Sequence, residues 1–168
     1  MAVIITAVAR SVRQLRKAMG VSQALLAQIL GVTQPAVAAW EANRRSPTGQ
    51  AAETLDRIAE ALEGPTKVYG EFRHRAIELP AGRWTAVVPP TFVVAKLPLH
   101  LDWSPRQGQR DLANREQRAT TYAQVLDEGR PEDIRIWIDP AALVELWPDV
   151  PVARHMEAAV ADLVESLR

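Results

Sequence analysis

Along residues 1–63, apolar side chains recur at the spacing that lines one face of a helix. Val8, Val12, Leu15 and Met19 make the first stripe, with Thr6 as its cap and Gly20 ending it where a left-handed residue is most easily accommodated. Ser22 caps a second helix, Gln23 to Leu30, which Gly31 terminates. Thr33 caps a third, Gln34 to about Ala42. Pro35 is tolerated there because first-turn amides have no partner inside the helix. A polar loop, Asn43 to Gly49 with Pro47 in it, precedes a fourth helix that turns Leu55, Ile58 and Leu62 inward.

The pattern changes at Gly64-Pro65, a helix-breaking pair expected to divide a domain over residues 1–63 from a module over residues 66–168. Residues 66–105 read as extended chain. Strands are expected at Trp84 to Val88 and Phe92 to Trp103, rich in β-branched and aromatic residues and punctuated by prolines. Helical spacing returns at Asn114, which caps Arg115 to Glu128 with Ala119, Tyr122, Val125 and Leu126 inward, and Gly129-Arg130-Pro131 ends it. Pro131 opens a short helix to about Trp137. Asp139-Pro140, a cap followed by a first-turn proline, starts another that stops at Pro148. Pro151 opens the last, with the stripe Val152, Met156, Val160, Leu163 and Leu167. The expected fold is mainly α: a helical N-terminal bundle and a mostly helical C-terminal module containing some β-strand.

At 168 residues, with 48% apolar and 24% charged side chains, the chain can bury a real core in one domain or two small ones. The absence of cysteine excludes disulfides, thiolate metal sites and a cysteine nucleophile. The apolar run Ala2 to Ala9 lacks a basic leader and is too short to cross a bilayer. No membrane association is expected, and a cytoplasmic location is. The formal net charge of zero hides an asymmetry. Residues 1–50 carry six basic side chains (Arg10, Arg13, Arg16, Lys17, Arg44, Arg45) against Glu41 alone, and the remainder is mildly acidic. A basic front segment on an acidic body binds phosphates locally while the whole stays soluble.

The stretch Val21 to Glu41 carries the most specific pattern. Two short capped helices are joined by Gly31-Val32, small Ala27 sits where their axes cross, and Leu26, Leu30, Val32, Val37 and Trp40 point inward. This is the spacing of a helix-turn-helix, whose second helix lies in the DNA major groove while the first crosses the backbone. Residues 7–63 resemble the phage-repressor/Cro-like (Xre) helix-turn-helix family.

That resemblance implies double-stranded DNA as partner and assigns roles residue by residue. Gln23 matches the family's phosphate contact at the start of the second helix, where backbone N–H groups and the helix dipole favour an anion. Thr33 and Gln34 open the recognition helix, Gln34 in the base-reading position. Pro35, Ala36, Ala38 and Ala39 stand where relatives often carry polar or basic residues. Small apolar groups touch a thymine methyl but cannot hydrogen-bond a base edge, so readout is expected to be sparse. Asn43, Arg44 and Arg45 follow the recognition helix, where the family grips the phosphate backbone. Arg16 and Glu41 match a buried ion pair tying the first helix to the third. The competing partner for Glu41 is Arg45, one turn further on. Related domains read two half-sites about one helical turn apart, which implies a homodimer on a near-palindromic operator.

Leu25 and Ile29 depart from the family, which usually places charged residues there. An exposed Leu/Ile pair is either unremarkable surface or a patch covered by the C-terminal part of the chain, a second subunit or a partner.

Nothing points to catalysis. His74, His100 and His155 lack the spacing that sets two ligands on one helical face, and no phosphate-cradling glycine loop or nucleophile elbow is present. No metal or cofactor is expected. His100 and Asp102 alternate on the expected strand as a surface pair, and Phe72-Arg73-His74-Arg75 is a further candidate phosphate contact. The segment from about Leu97 to Trp147 looks similar to bacterial Xre-type regulators that accompany nucleotidyltransferase-like toxins, which implies an antitoxin-like protein with a toxin-like partner. A third reading is a ligand-responsive regulator with an effector pocket among Trp84, Trp103, Trp137 and Trp147.

Overall fold

The computed structural model describes residues 11–91, 93–94, 97–102 and 109–168, with residues 93–94 described as backbone alone. Packing divides the chain into two compact units, Met1–Leu55 and Asp56–Arg168. The division falls inside a helix rather than at Gly64-Pro65.

The first unit holds α1 (Val12–Met19), α2 (Gln23–Leu30), α3 (Gln34–Glu41) and the opening turn of α4 (Gln50–Glu63). The expected cap Thr6 and the stripe residue Val8 lie outside the described residues. Ser11 caps α1 through a reciprocal pair: its hydroxyl accepts from the Gln14 amide, and the Gln14 side chain accepts from the Ser11 amide at 2.7 Å. Gly20 and Gly31 end α1 and α2 with φ of 68° and 65°, a region that costs a side-chain-bearing residue and not glycine. The Ser22 hydroxyl accepts from the Leu25 amide at 3.1 Å. Thr33 occupies the cap of α3 but makes no capping hydrogen bond. Met19, Leu26 and Val37 are fully buried, whereas Val32 and Trp40 are half-buried. Leu25 is buried and Ile29 half-buried within the chain itself, so the two do not form an exposed apolar patch.

The second unit begins with the rest of α4, on which Ile58 and Ala61 are buried while the expected Leu62 is half-buried. An antiparallel hairpin follows, β1 (Thr66–Phe72) with β2 (Arg75–Pro80), paired from Thr66–Pro80 to Phe72–Arg75 with an irregularity between Val68 and Gly70. A shorter antiparallel pair joins β3 (Val93–Val94) to β4 (Arg110–Asp111).

Of the two expected strands, the first fails and the second is met at β3 alone among the described residues. Trp84 to Val88 is irregular chain that buries Ala86, Val87 and Val88. Leu97 to Asp102 is a turn, in which the Leu101 and Asp102 amides both donate to the Pro98 carbonyl. Trp103 lies outside the described residues.

The remaining helices are α5 (Arg115–Glu128), α6 (Pro131–Trp137), α7 (Pro140–Leu146) and α8 (Glu157–Leu167). Asn114 and Asp139 cap α5 and α7 as expected. Helix α8 starts at Glu157 instead of Pro151, because the chain before it is held in turns. α6 forms the centre of this unit: Ile134, Ile136 and Trp137 are all but fully enclosed.

Candidate nucleic-acid interface

The family-implied contact residues divide by exposure. Thr33, Gln34 and Pro35, at the start of α3, are exposed, while Ala36, Ala38 and Ala39 are half-buried. Beyond α3 the chain reverses through Asn43, whose φ of 56° is one asparagine tolerates. The Arg44 amide donates to the Ala39 carbonyl at 2.9 Å, which leaves Asn43, Arg44 and Arg45 exposed next to the end of the helix.

What holds this frame is Glu41, the last residue of α3. Arg16 Nε donates to Glu41 Oε1 at 2.5 Å and Nη2 donates to Oε2 at 3.2 Å. The Glu41 side chain is 2% exposed and that of Arg16 19%. A third Arg16 donor, Nη1, reaches the Val21 carbonyl at 3.1 Å. The hydrogen bond from Arg16 holds the Glu41 carboxyl below its ordinary value against the opposing effect of burial, and Gln23 lowers it further. The Arg16 guanidinium is correspondingly raised, by the same hydrogen bond. Arg45, the competing partner weighed from the sequence, forms no ion pair among the described residues.

Two further ligands of Glu41 escaped the sequence reading. Gln23 Nε2 donates to Glu41 Oε2 at 3.0 Å, and Arg13 Nε stands 3.6 Å from the same oxygen. Their separation along the chain leaves no local signal that would have found them. The contact with Gln23 bears on function, since its amide nitrogen has two protons. One is committed to Glu41, which leaves the other without that partner.

Outside this frame the sequence candidates scatter. His100 pairs with Asp133 at 3.0 Å and not with Asp102, because neither residue lies on a strand. Asp102 instead accepts from Arg110 at 2.8 Å. Arg73 and His74 form the tip of the β1–β2 hairpin, and Phe72 stacks on His155 with ring centroids 3.9 Å apart. Of the tryptophans expected around an effector pocket, Trp137 is 1% exposed in the core, Trp147 is half-buried at the end of α7 and Trp84 borders a cleft, while Trp103 lies outside the described residues. Among the described residues no three metal-ligating side chains gather, and no helix is long and apolar enough to cross a membrane.

With this geometry in place, residues 12–67 match the protein-family model described as "Helix-turn-helix". Over those residues, a third of the chain, the sequence is similar to helix-turn-helix domains, in keeping with the geometry of α2 and α3. Comparisons with curated proteins and with solved structures return no match. The likeness of Leu97 to Trp147 to toxin-accompanying regulators therefore has no counterpart there.

Proposed function

We propose that the protein binds a near-palindromic operator as a homodimer, with α3 in the major groove and the unit after α4 serving regulation or assembly. The observation that carries this reading is the exposure of Gln34 at one end of α3 and of Arg44 and Arg45 beyond the other, on a helix fastened by Arg16 and Glu41. Gln34 suits bidentate contact with adenine, while Arg44 and Arg45 neutralise phosphates irrespective of sequence. The alanine face supplies contact with thymine methyls and no hydrogen bonds. Gln23 adds a phosphate contact at the start of α2.

Fluorescence anisotropy on an operator recovered from genomic fragments, against random duplex, tests the division of labour. Replacing both Arg44 and Arg45 with alanine should weaken the two duplexes alike and flatten the log K versus log salt slope by roughly 0.9 per lost phosphate contact. Gln34→Ala should cost roughly 1–3 kcal/mol on operator and little on random DNA, with the salt slope unchanged. Equal weakening of both duplexes by Gln34→Ala would remove it as a base reader.

A further inference from the structure

Arg135 of α6 is a buried cation that forms no ion pair among the described residues. It is 3% exposed; its Nη1 donates to the Ala61 carbonyl at 3.3 Å and its Nη2 donates to the Pro65 carbonyl. Both acceptors belong to the main chain at the end of α4, where the helix dipole supplies only partial negative charge. Glu132 and Glu78 act on Arg135 through space without pairing with it, and burial lowers its pKa. The buried acids of the same unit are treated differently, Asp102 lying against Arg110 and Asp133 against His100.

Gly64 lies directly against this side chain: a Cβ there would come within 2.5 Å of Arg135 Nε. Beside them opens a cleft of about 600 Å³, bordered by Arg57, Glu60, Gly64, Arg83, Trp84 and Arg135. The volume falls within the range of small-molecule sites. Its border carries three arginines and one glutamate. Arg83 is exposed and has no ion pair or hydrogen bond through its side chain among the described residues. Trp84 is half-buried, and its indole N–H donates to the Ile138 carbonyl at 3.0 Å, which fixes the ring at the cleft wall.

We propose that this cleft binds a small organic anion, a carboxylate or monophosphate carried on a planar ring, with Arg83 and Arg135 taking the anion and Trp84 the ring. Guanidinium groups suit both oxyanions because their planar fork matches two oxygens at once, and an indole face favours a flat apolar partner. A duplex phosphate does not suit the site, since a rigid double helix cannot reach a side chain buried to this depth.

The test is thermal unfolding of the full chain with inorganic phosphate, adenosine 5′-monophosphate or 4-hydroxybenzoate, each against chloride at equal ionic strength. A ring-bearing anion at ten times its Kd should raise Tm by about 3 °C or more. Inorganic phosphate should bind more weakly than either ring-bearing probe. Preference for the nucleotide or for the benzoate identifies the oxyanion. Arg83→Ala, on the surface, should weaken binding about tenfold or more. Trp84→Leu should erase the advantage of a ring over inorganic phosphate. Arg135→Ala risks unfolding the unit, so Arg135→Lys, which keeps the charge and loses the fork, is the variant to use, and it should weaken binding too. The proposal is overturned if no probe raises Tm beyond chloride, or if the rise survives unchanged in Arg83→Ala and Trp84→Leu.

Discussion

In the first unit the buried charge converges on a single point. Glu41 takes Arg16, Arg13 and Gln23 around one carboxylate, and among the described residues of that unit no other acid is buried. In the second unit buried charge is dispersed: Asp102 sits against Arg110, Asp133 against His100 and Arg130, and Arg135 against the Ala61 and Pro65 carbonyls. The two arrangements do different things. A convergent cluster fixes the register of three short helices at once, none of which would be stable in isolation at eight residues. Dispersed pairs fasten irregular segments onto helices: Asp133 ties down the turn that carries His100, and Arg135 ties down the chain that leaves α4. Buried ions are poor sources of net stability, so their worth lies in specifying one packing over others.

The largest expected effect follows from that convergence. Glu41→Ala strands the Arg16 guanidinium and releases α1, the start of α2 and the end of α3 together. Because the Arg16 side chain keeps some access to water, the loss should sit near the low end for a broken buried pair, about 3 kcal/mol by urea unfolding. Arg16→Met should cost less, since the long apolar stem remains and the stranded carboxyl can protonate. Equal losses would mean that the cluster acts through packing and not charge.

The two units should also respond to acid with opposite signs. The Glu41 carboxyl is lowered in the folded chain, chiefly by Arg16. Its stabilisation is therefore complete above the ordinary value of 4.5 and is lost as pH falls through the lowered one. Asp127, at the end of α5, is raised from 3.8, chiefly by burial, although the Ala153 amide donates to it at 3.3 Å. Its charged form is the disfavoured one, so the fold gains as pH falls from the raised value toward 3.8. Urea titrations from neutral pH downward should show Glu41→Gln flattening the acid loss and Asp127→Asn steepening it. The same direction of change in both variants would refute the contrast.

Legibility follows the same divide. The helix-turn-helix was readable because its signals are local: Ser22, Gly20 and Gly31 fall at fixed offsets from an apolar stripe, and each does in the structure what its type suggests. The same local chemistry gave α5, α6 and α7 their bounds. The β1–β2 hairpin hid because its turn residues, Arg73 and His74, adopt φ of 49° and 64° without the Asn-Gly signature. Strand β1 is also exposed almost throughout, so it shows no alternation. Trp84 to Val88 misled for the reverse reason. Its apolar residues are buried, but as irregular chain whose Val88 amide donates to the Ile136 carbonyl at 2.9 Å, and Pro89-Pro90 denies any continuing ladder. Of the candidate interface, exposure and the Arg16–Glu41 pairing were within reach. The parts played by Arg13 and Gln23 depended on tertiary geometry.

The smallest expected effect separates two residues that look alike in sequence. Ser22 and Thr33 both stand at helix N-caps, but only Ser22 accepts a hydrogen bond from the helix it opens. Ser22→Ala should cost about 1 kcal/mol, as should Asn114→Ala in the second unit, where the side chain accepts from the Gln117 amide at 3.0 Å. Thr33→Ala should leave thermal stability almost unchanged, because no cap bond is lost and the exposed hydroxyl stays with water in either state. If Thr33→Ala nevertheless weakens DNA binding, the hydroxyl belongs to the interface, left free at the first residue of the recognition turn. A stability loss equal to that of Ser22→Ala would show instead that Thr33 caps α3 in solution. The difference between the two caps would then vanish, and Gln34 and its neighbours would be held by the same local device as α2.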